Sequence, residues 1–227
     1  MKRSQQSERA KLIKYQERLP PKRPYQVGLD ISLNSPGLTI KGPNGVQCFF
    51  WRQRVREAGF RYEDDFCSIE CIPYDLKDPK HVRVRKVASG IRYALGNLDP
   101  TSTNLFMEDL AYGAANAGCS SSLTQLAGIA EVVKYVVDDM GFDPPYQVSP
   151  PTLKRMFSGH GLSKKDDMYR AWLENGGPDL LTIFKVKRAD QKPVEDIVDS
   201  YGLARFPEDL QLAMNEIAPP KLKRIKF

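Results

Sequence analysis

Four acidic residues stand at positions where burial is expected. Asp30 lies in the apolar run Val27-Gly-Leu-Asp-Ile31, Glu108 closes Leu105-Phe-Met-Glu108, and Asp196 and Asp199 share Val194-Glu-Asp-Ile-Val-Asp199. Carboxylates are almost never buried unless they are paired or bind a metal. Residues i and i+3 of a helix project from one face, so Asp196 and Asp199 can address one ion or two neighbouring ions. Four carboxylates converging from two strand ends and a helix would make an oxygen-rich site suited to Mg²⁺ or Mn²⁺. Two such ions about 4 Å apart stabilise both the attacking water and the leaving oxygen in phosphodiester cleavage. Any one of these acids taken singly is more readily read as a surface or capping carboxylate, and their weight comes from the set.

The elements that must position them follow from patterning. Tyr25 to Ile31 is β-prone, and the turn signals Pro36-Gly37 and Pro43-Asn44-Gly45 make Leu38 to Lys41 and Val46 to Trp51 two further strands of an antiparallel meander. Residues 52 to 78 are charged and irregular and read as an insertion or long loop. Asp78-Pro79 starts a helix whose apolar positions Val84, Val87, Ile91 and Ala94 hold one face. A strand from Asn104 to Glu108 follows, and after a small-residue loop Ser120 to Ser122 cap a long helix through Asp139, closed by Gly141. Tyr146 to Val148 is a short strand, Lys164 to Glu174 a helical segment, and Pro193 opens a last helix from Val194 to Phe206. The order predicts an α/β fold: a mixed five-stranded sheet, antiparallel then parallel, with helices on both faces.

The chain has 227 residues, 41% hydrophobic and 27% charged, which is globular composition and excludes a collagenous or wholly disordered chain. No apolar run approaches the ~20 residues that span a bilayer. The first residues are polar and basic without an apolar signal core, so a soluble, unexported, cytoplasmic protein with no membrane partner is expected. The net charge of +6 is unevenly placed. Residues 1 to 24 hold eight basic residues against Glu8 and Glu17, and the last seven hold Lys221, Lys223, Arg224 and Lys226, leaving the body between them net acidic. Basic arms are an electrostatic footprint for a polyanion, although a charge run alone equally describes a solubilising tail. This divides the chain into an N-terminal arm (1 to 24), a main domain (25 to 206, with the insertion at about 52 to 78) and a C-terminal basic tail (207 to 227). Cys48, Cys67, Cys71 and Cys119 show no second Cys or His pair at zinc spacing and read as four separate thiols.

Four segments together resemble the RuvC-type nucleases of the RNase H-like superfamily. Val27-Gly-Leu-Asp-Ile-Ser-Leu-Asn-Ser-Pro-Gly-Leu-Thr-Ile40 is similar to their first motif, and Phe106-Met-Glu-Asp109 to their second, ahead of a small-residue helix at Ser122 to Ala130. Gln147 to Lys164 resembles the segment carrying a Pro, a Lys, a Gly-x-Gly and another Lys, and Glu195 to Ala204 resembles the closing helix with its Asp-x-x-Asp pair. The four occur in the family's order over roughly Tyr25 to Phe206.

The resemblance implies an RNase H-like fold in which Asp30, Glu108, Asp196 and Asp199 are catalytic and hold two Mg²⁺ or Mn²⁺ ions. It implies basic contacts near the scissile phosphate from Lys154 and Lys164, with Arg155 and Lys165 beside them, and a junction wedge for which Tyr112 is the slightly displaced counterpart. The implied activity is a Holliday-junction resolvase: a homodimer that nicks four-way DNA junctions by in-line attack of water, leaving 5′-phosphate and 3′-hydroxyl ends. The longer segments at 52 to 78 and 175 to 191 could add DNA contacts through Arg52, Arg54, Arg56, Lys185, Lys187 and Arg188. The alternatives are a related nuclease for flaps, forks or other branched DNA, a catalytically idle junction-binding protein, and an actin-like ATPase. The last is disfavoured because Ser32-Leu-Asn-Ser35 supplies no phosphate-binding glycine after Asp30.

Overall fold

In the computed structural model, described over residues 12–52, 60–109 and 120–217, the apolar runs around Asp30 and Glu108 become two neighbouring central strands. The strands are β1 (Tyr25–Asp30), β2 (Gly37–Gly42), β3 (Gly45–Arg52), β4 (Arg61–Glu63), β5 (Cys67–Pro73), β6 (Thr103–Glu108) and β7 (Tyr146–Val148). Their order across the sheet is β4-β5-β3-β2-β1-β6-β7. β1, β2 and β3 form the expected antiparallel meander, while β6 lies parallel to β1 and β7 parallel to β6. β1 and β6 therefore end at the same edge, which brings Asp30 and Glu108 together.

The expected five-strand count is corrected to seven among the described residues. The two additional strands come from the segment expected as a loop: β5 runs parallel to β3, and β4 pairs antiparallel with β5 at the sheet edge. Cys67-Ser-Ile-Glu-Cys-Ile alternates buried and partly exposed side chains, the period of a half-buried strand. The charged residues before it obscure that period in the sequence.

Helices cover both faces, as expected. The helices are α1 (12–18), α2 (Lys80–Leu95), α3 (Ser120–Asp139), α4 (Pro150–Ser158), α5 (Lys165–Glu174), α6 (Leu180–Phe184) and α7 (Val194–Ile217). One core forms where Val87 and Ile91 of α2 and Val133 and Val137 of α3 meet Val27, Leu29 and Leu105. The other joins Phe50 and Phe106 to Leu153 of α4, Trp172 of α5 and Val198 and Tyr201 of α7, and Leu12 of α1 is buried within it. The N-terminal segment expected as a polar arm thus supplies part of the core from residue 12 onward.

α4 arises within the segment that the sequence left unassigned. Ser149 precedes it in an extended conformation, Pro150 and Pro151 occupy its first turn where no N–H is required, and Gly159 at φ 85° ends it. α7 continues past Phe206, where its pattern was expected to end, through Pro207. Leu210 is fully buried and Arg205 holds Asp209 at 2.7 Å across the proline, so tertiary contacts offset the missing backbone hydrogen bond.

Candidate active site

Two glycines bring α7 down onto the sheet. A Cβ on Gly28 of β1 would lie 1.9 Å from the Ser200 carbonyl oxygen, and one on Gly37 of β2 would lie 2.3 Å from the Asp196 carbonyl oxygen. With only hydrogens at these positions, the acidic turns of α7 rest directly over the end of β1. Thr39 on β2 adds a 2.8 Å hydrogen bond to the Ser200 hydroxyl.

All four candidate acids meet at this edge. Asp30, Glu108 and Asp199 line a pocket of about 210 Å³ together with Glu195, Lys154, Lys165 and Lys192. Asp196 lies behind the pocket wall, fully buried, where its carboxylate accepts from the Ser35 hydroxyl and pairs with Lys192. Ser35 is set by the turn after β1, in which the Ser32 hydroxyl accepts from the Asn34 and Ser35 backbone N–H groups at 3.1 and 2.9 Å. A larger cavity of about 730 Å³ opens at the other end of the strands, beside Tyr25, Gly42 and Arg61, away from all four acids.

The electrostatics are those of a negative cluster short of countercharge. Burial raises the Asp30 pKa well above its usual range, and the charges of Asp199 and Asp196 raise it further. Burial followed by the charge of Asp199 raises Glu108, and burial raises Asp199 against the opposing pull of Lys165. Asp196 is pushed up to about 6 by burial despite Lys192 and Ser35. Burial favours the neutral amine of Lys165, yet Asp199 and Glu195 hold its pKa above the usual lysine value. Its Nζ stands 2.8 Å from Glu195 and also pairs with Asp199. Burial likewise works against the Lys192 charge, and Asp196 and Asp30 outweigh it.

The DNA-contact candidates separate. Lys154 and Lys165 line the pocket, and both charges act on Glu108. Lys164 is exposed ahead of α5, its backbone N–H donating to Asp167 at 2.9 Å. Arg155 faces a different groove, between α1 and α4. Arg52 donates to the Lys192 carbonyl, and Arg188 pairs with Asp190 at 3.0 Å. Tyr112, Arg54, Arg56 and Cys119 lie outside the described residues.

Sequence reasoning missed Glu195, Lys192 and Ser35. Glu195 lies four residues before Asp199 on α7, a helical spacing that places the two on one side, whereas Lys192 lies in the turn before the helix and pairs with Asp196 from there. The glycine inside β1 was the other readable signal, since an interior strand glycine marks close backbone approach.

The donor set suits a hard divalent cation. Every acidic ligand candidate is a carboxylate oxygen, and four pocket-lining carboxylates face three ammonium groups, with buried Asp196 behind them. Among the described residues no three acidic, Cys or His side chains already close into a ligand cage. Lys165 and Lys192 lie between the carboxylates and satisfy part of the demand for positive charge.

No protein-family model matches the chain, and no curated protein matches it. Among solved structures it is similar to Thermus thermophilus RuvC in complex with a Holliday junction substrate, with a TM-score of 0.50, 16% identity and coverage of 86% of this chain and 99% of that one. A Thermus thermophilus RuvC structure has a TM-score of 0.46 at 14% identity, covering 82% and 95%. The yeast mitochondrial Holliday junction resolvase Ydc2 has a TM-score of 0.46 at 13% identity, covering 91% and 90%. At these identities the likeness is one of fold: the chain carries the RNase H-like fold of RuvC. No helix among the described residues is long and apolar enough to cross a membrane.

Proposed function

We propose that the chain is a metal-dependent endonuclease that cuts branched DNA, with four-way junctions as its preferred substrate. The observation that carries this is the meeting of Asp30, Glu108 and Asp199 from β1, β6 and α7 in one pocket with Lys154 and Lys165 at its wall. A structural site has no need for so many like charges; a site that must hold cations beside a phosphodiester does. RuvC, whose fold this chain shares, was solved with a Holliday junction substrate.

Asp30, Glu108 and Asp199 would hold the cations, with Asp196 fixing the first turn of α7 through Ser35 and Lys192. Divalent ions bound there would neutralise charge on the scissile phosphate and make water a better nucleophile. Lys154 and Lys165 would bind the phosphate oxygens and oppose the charge that develops on them. The wall formed by Pro150, Leu153, Met168 and Leu203 limits solvent around the reacting groups. Attack in line by water leaves 5′-phosphate and 3′-hydroxyl ends without a covalent intermediate. Two symmetric nicks in a junction require two such sites, so the active species is proposed to be a homodimer.

The test is incubation of pure protein with a synthetic four-way junction, a flap and plain duplex, in Mg²⁺ or EDTA. Mg²⁺-dependent paired nicks in the junction are expected. Preferential cutting of flaps would move the assignment to another branched substrate, and no cutting of any DNA would overturn it.

A further inference from the structure

α4 divides two environments of opposite charge. Lys154 and Leu153 turn to the carboxylate pocket, whereas Thr152 and Arg155, next to them in sequence, line a groove of about 590 Å³ against α1. Lys14 and Arg18 of α1, Arg155 of α4 and His160 after it contribute the groove's charged and polar rim, and no acidic side chain lines it among the described residues. Lys14, Arg18, Arg155 and His160 are exposed. This concentration of positive charge stands out on a body whose central stretch is net acidic.

The groove is held in shape by its floor. The Tyr15 hydroxyl lies 3.1 Å from the Ser149 hydroxyl and accepts from Thr152 at 3.0 Å, pinning α1 to the first turn of α4. Leu12 is buried in the core, and the Tyr15 ring packs edge-on against Phe206 at 6.3 Å. The basic rim is therefore carried on two fixed helices, at a set position beside the pocket.

We propose that this α1–α4 groove is a second DNA seat, binding the phosphate backbone of the substrate outside the segment that enters the carboxylate pocket. The proposal rests on the reading of the chain as a DNA endonuclease and assigns it a contact surface separate from the cutting site. Positive side chains on rigid helices neutralise backbone phosphates and release their counterions without reading sequence. Because α4 forms a wall of both the groove and the pocket, a strand seated in one is aligned relative to the other. A duplex arm held there distinguishes branched from linear substrates by geometry alone.

Point substitution tests this more cleanly than truncation, since Leu12 and Tyr15 belong to the core. The triple variant Lys14→Ala/Arg18→Ala/Arg155→Ala alters exposed positions, and a control triple, Lys77→Ala/Lys80→Ala/Arg85→Ala, removes the same charge at or beside α2 on the opposite face. Four-way junction binding in EDTA is measured by fluorescence anisotropy across a salt series, with melting curves to confirm folding. The groove variant is expected to bind at least tenfold more weakly at low salt and to flatten the log Kd against log salt slope by about 2.7, while the control keeps the parental slope. A groove variant with the parental slope, a control that flattens as much, or a parental protein that binds no junction would each overturn the proposal. A parental protein that binds with this groove dependence but cuts nothing in Mg²⁺ would overturn the endonuclease reading and leave the seat standing.

Discussion

Gly28 of β1 and Ser200 of α7 approach so closely that a Cβ on Gly28 would lie 1.9 Å from the Ser200 carbonyl oxygen. The obstructing atom is backbone, on a helix already pressed against the sheet, so it cannot swing aside as a side chain would. This contact sets the height of α7 above β1, and with it the placement of Asp196 and Asp199 near Asp30.

Gly28→Ala must therefore lift α7 or distort β1. Overpacking of this kind costs about 2 to 3 kcal/mol, which in a domain of this size lowers Tm by roughly 4 to 12 °C. Cutting is expected to fall more than folded fraction accounts for, because the displaced helix carries two of the acids. Calorimetry with single-turnover cleavage on the same samples checks this, and a variant with parental Tm and rate contradicts the close approach.

Asp30→Asn keeps the shape of the side chain and removes its charge. Partners behind metal ligands cost about 10 to 100-fold when lost, so losing the ligand itself is expected to reduce Mg²⁺-dependent cutting by at least about 100-fold. Junction binding in EDTA should stay within a few-fold of parental, because the phosphate contacts are untouched. Parental cutting by the variant would remove Asp30 from the site.

Metal loading should depend on pH in a defined direction. Asp196 is pushed up to about 6, and Asp30, Glu108 and Asp199 are raised by burial, so the folded chain holds protons here that the unfolded chain releases at about 4. Stability from these groups is present at lower pH and is lost as pH rises through the folded values. Cations bind the ionised carboxylates and reverse that loss. The gain in Tm on adding Mg²⁺ to chelated protein is expected to be small near pH 5 and to widen towards pH 8. A gain that is constant or shrinks across that range contradicts the assignment.

Lys165 stands 2.8 Å from Glu195 and also pairs with Asp199, so under the proposed function its ammonium would both meet the phosphate and compete with cations for these carboxylates. Lys165→Met is expected to slow single-turnover cutting by about 100-fold while leaving the Mg²⁺ concentration for half-maximal rate unchanged or lower. A slower variant that needs far more Mg²⁺ would assign Lys165 to organising the pocket instead.

Much of this site is legible in the sequence because its acids interrupt apolar patterns. Asp30 and Glu108 each follow residues that are buried in the strand, and the i, i+3 spacing of Asp196 and Asp199 survives in α7. What sequence does not reveal depends on partners distant along the chain. Gly28 marks a close approach to β1 in the sequence, but that Ser200 of α7 is what lies against it does not show there, and Lys192 reads as a solvated lysine until Asp196 is buried beside it. β5 was concealed by the charged residues before it, and α7 outlasts Pro207 through the Arg205–Asp209 pair and the burial of Leu210.

The central claim, that Asp30, Glu108 and Asp199 form one divalent-cation site, is tested most directly by counting bound Mn²⁺ by electron paramagnetic resonance. The parental chain is expected to bind two Mn²⁺ ions at neutral pH, and Asp30→Asn/Asp199→Asn to lose both while remaining folded. Equal Mn²⁺ binding by the two proteins, whether of two ions or none, would contradict it.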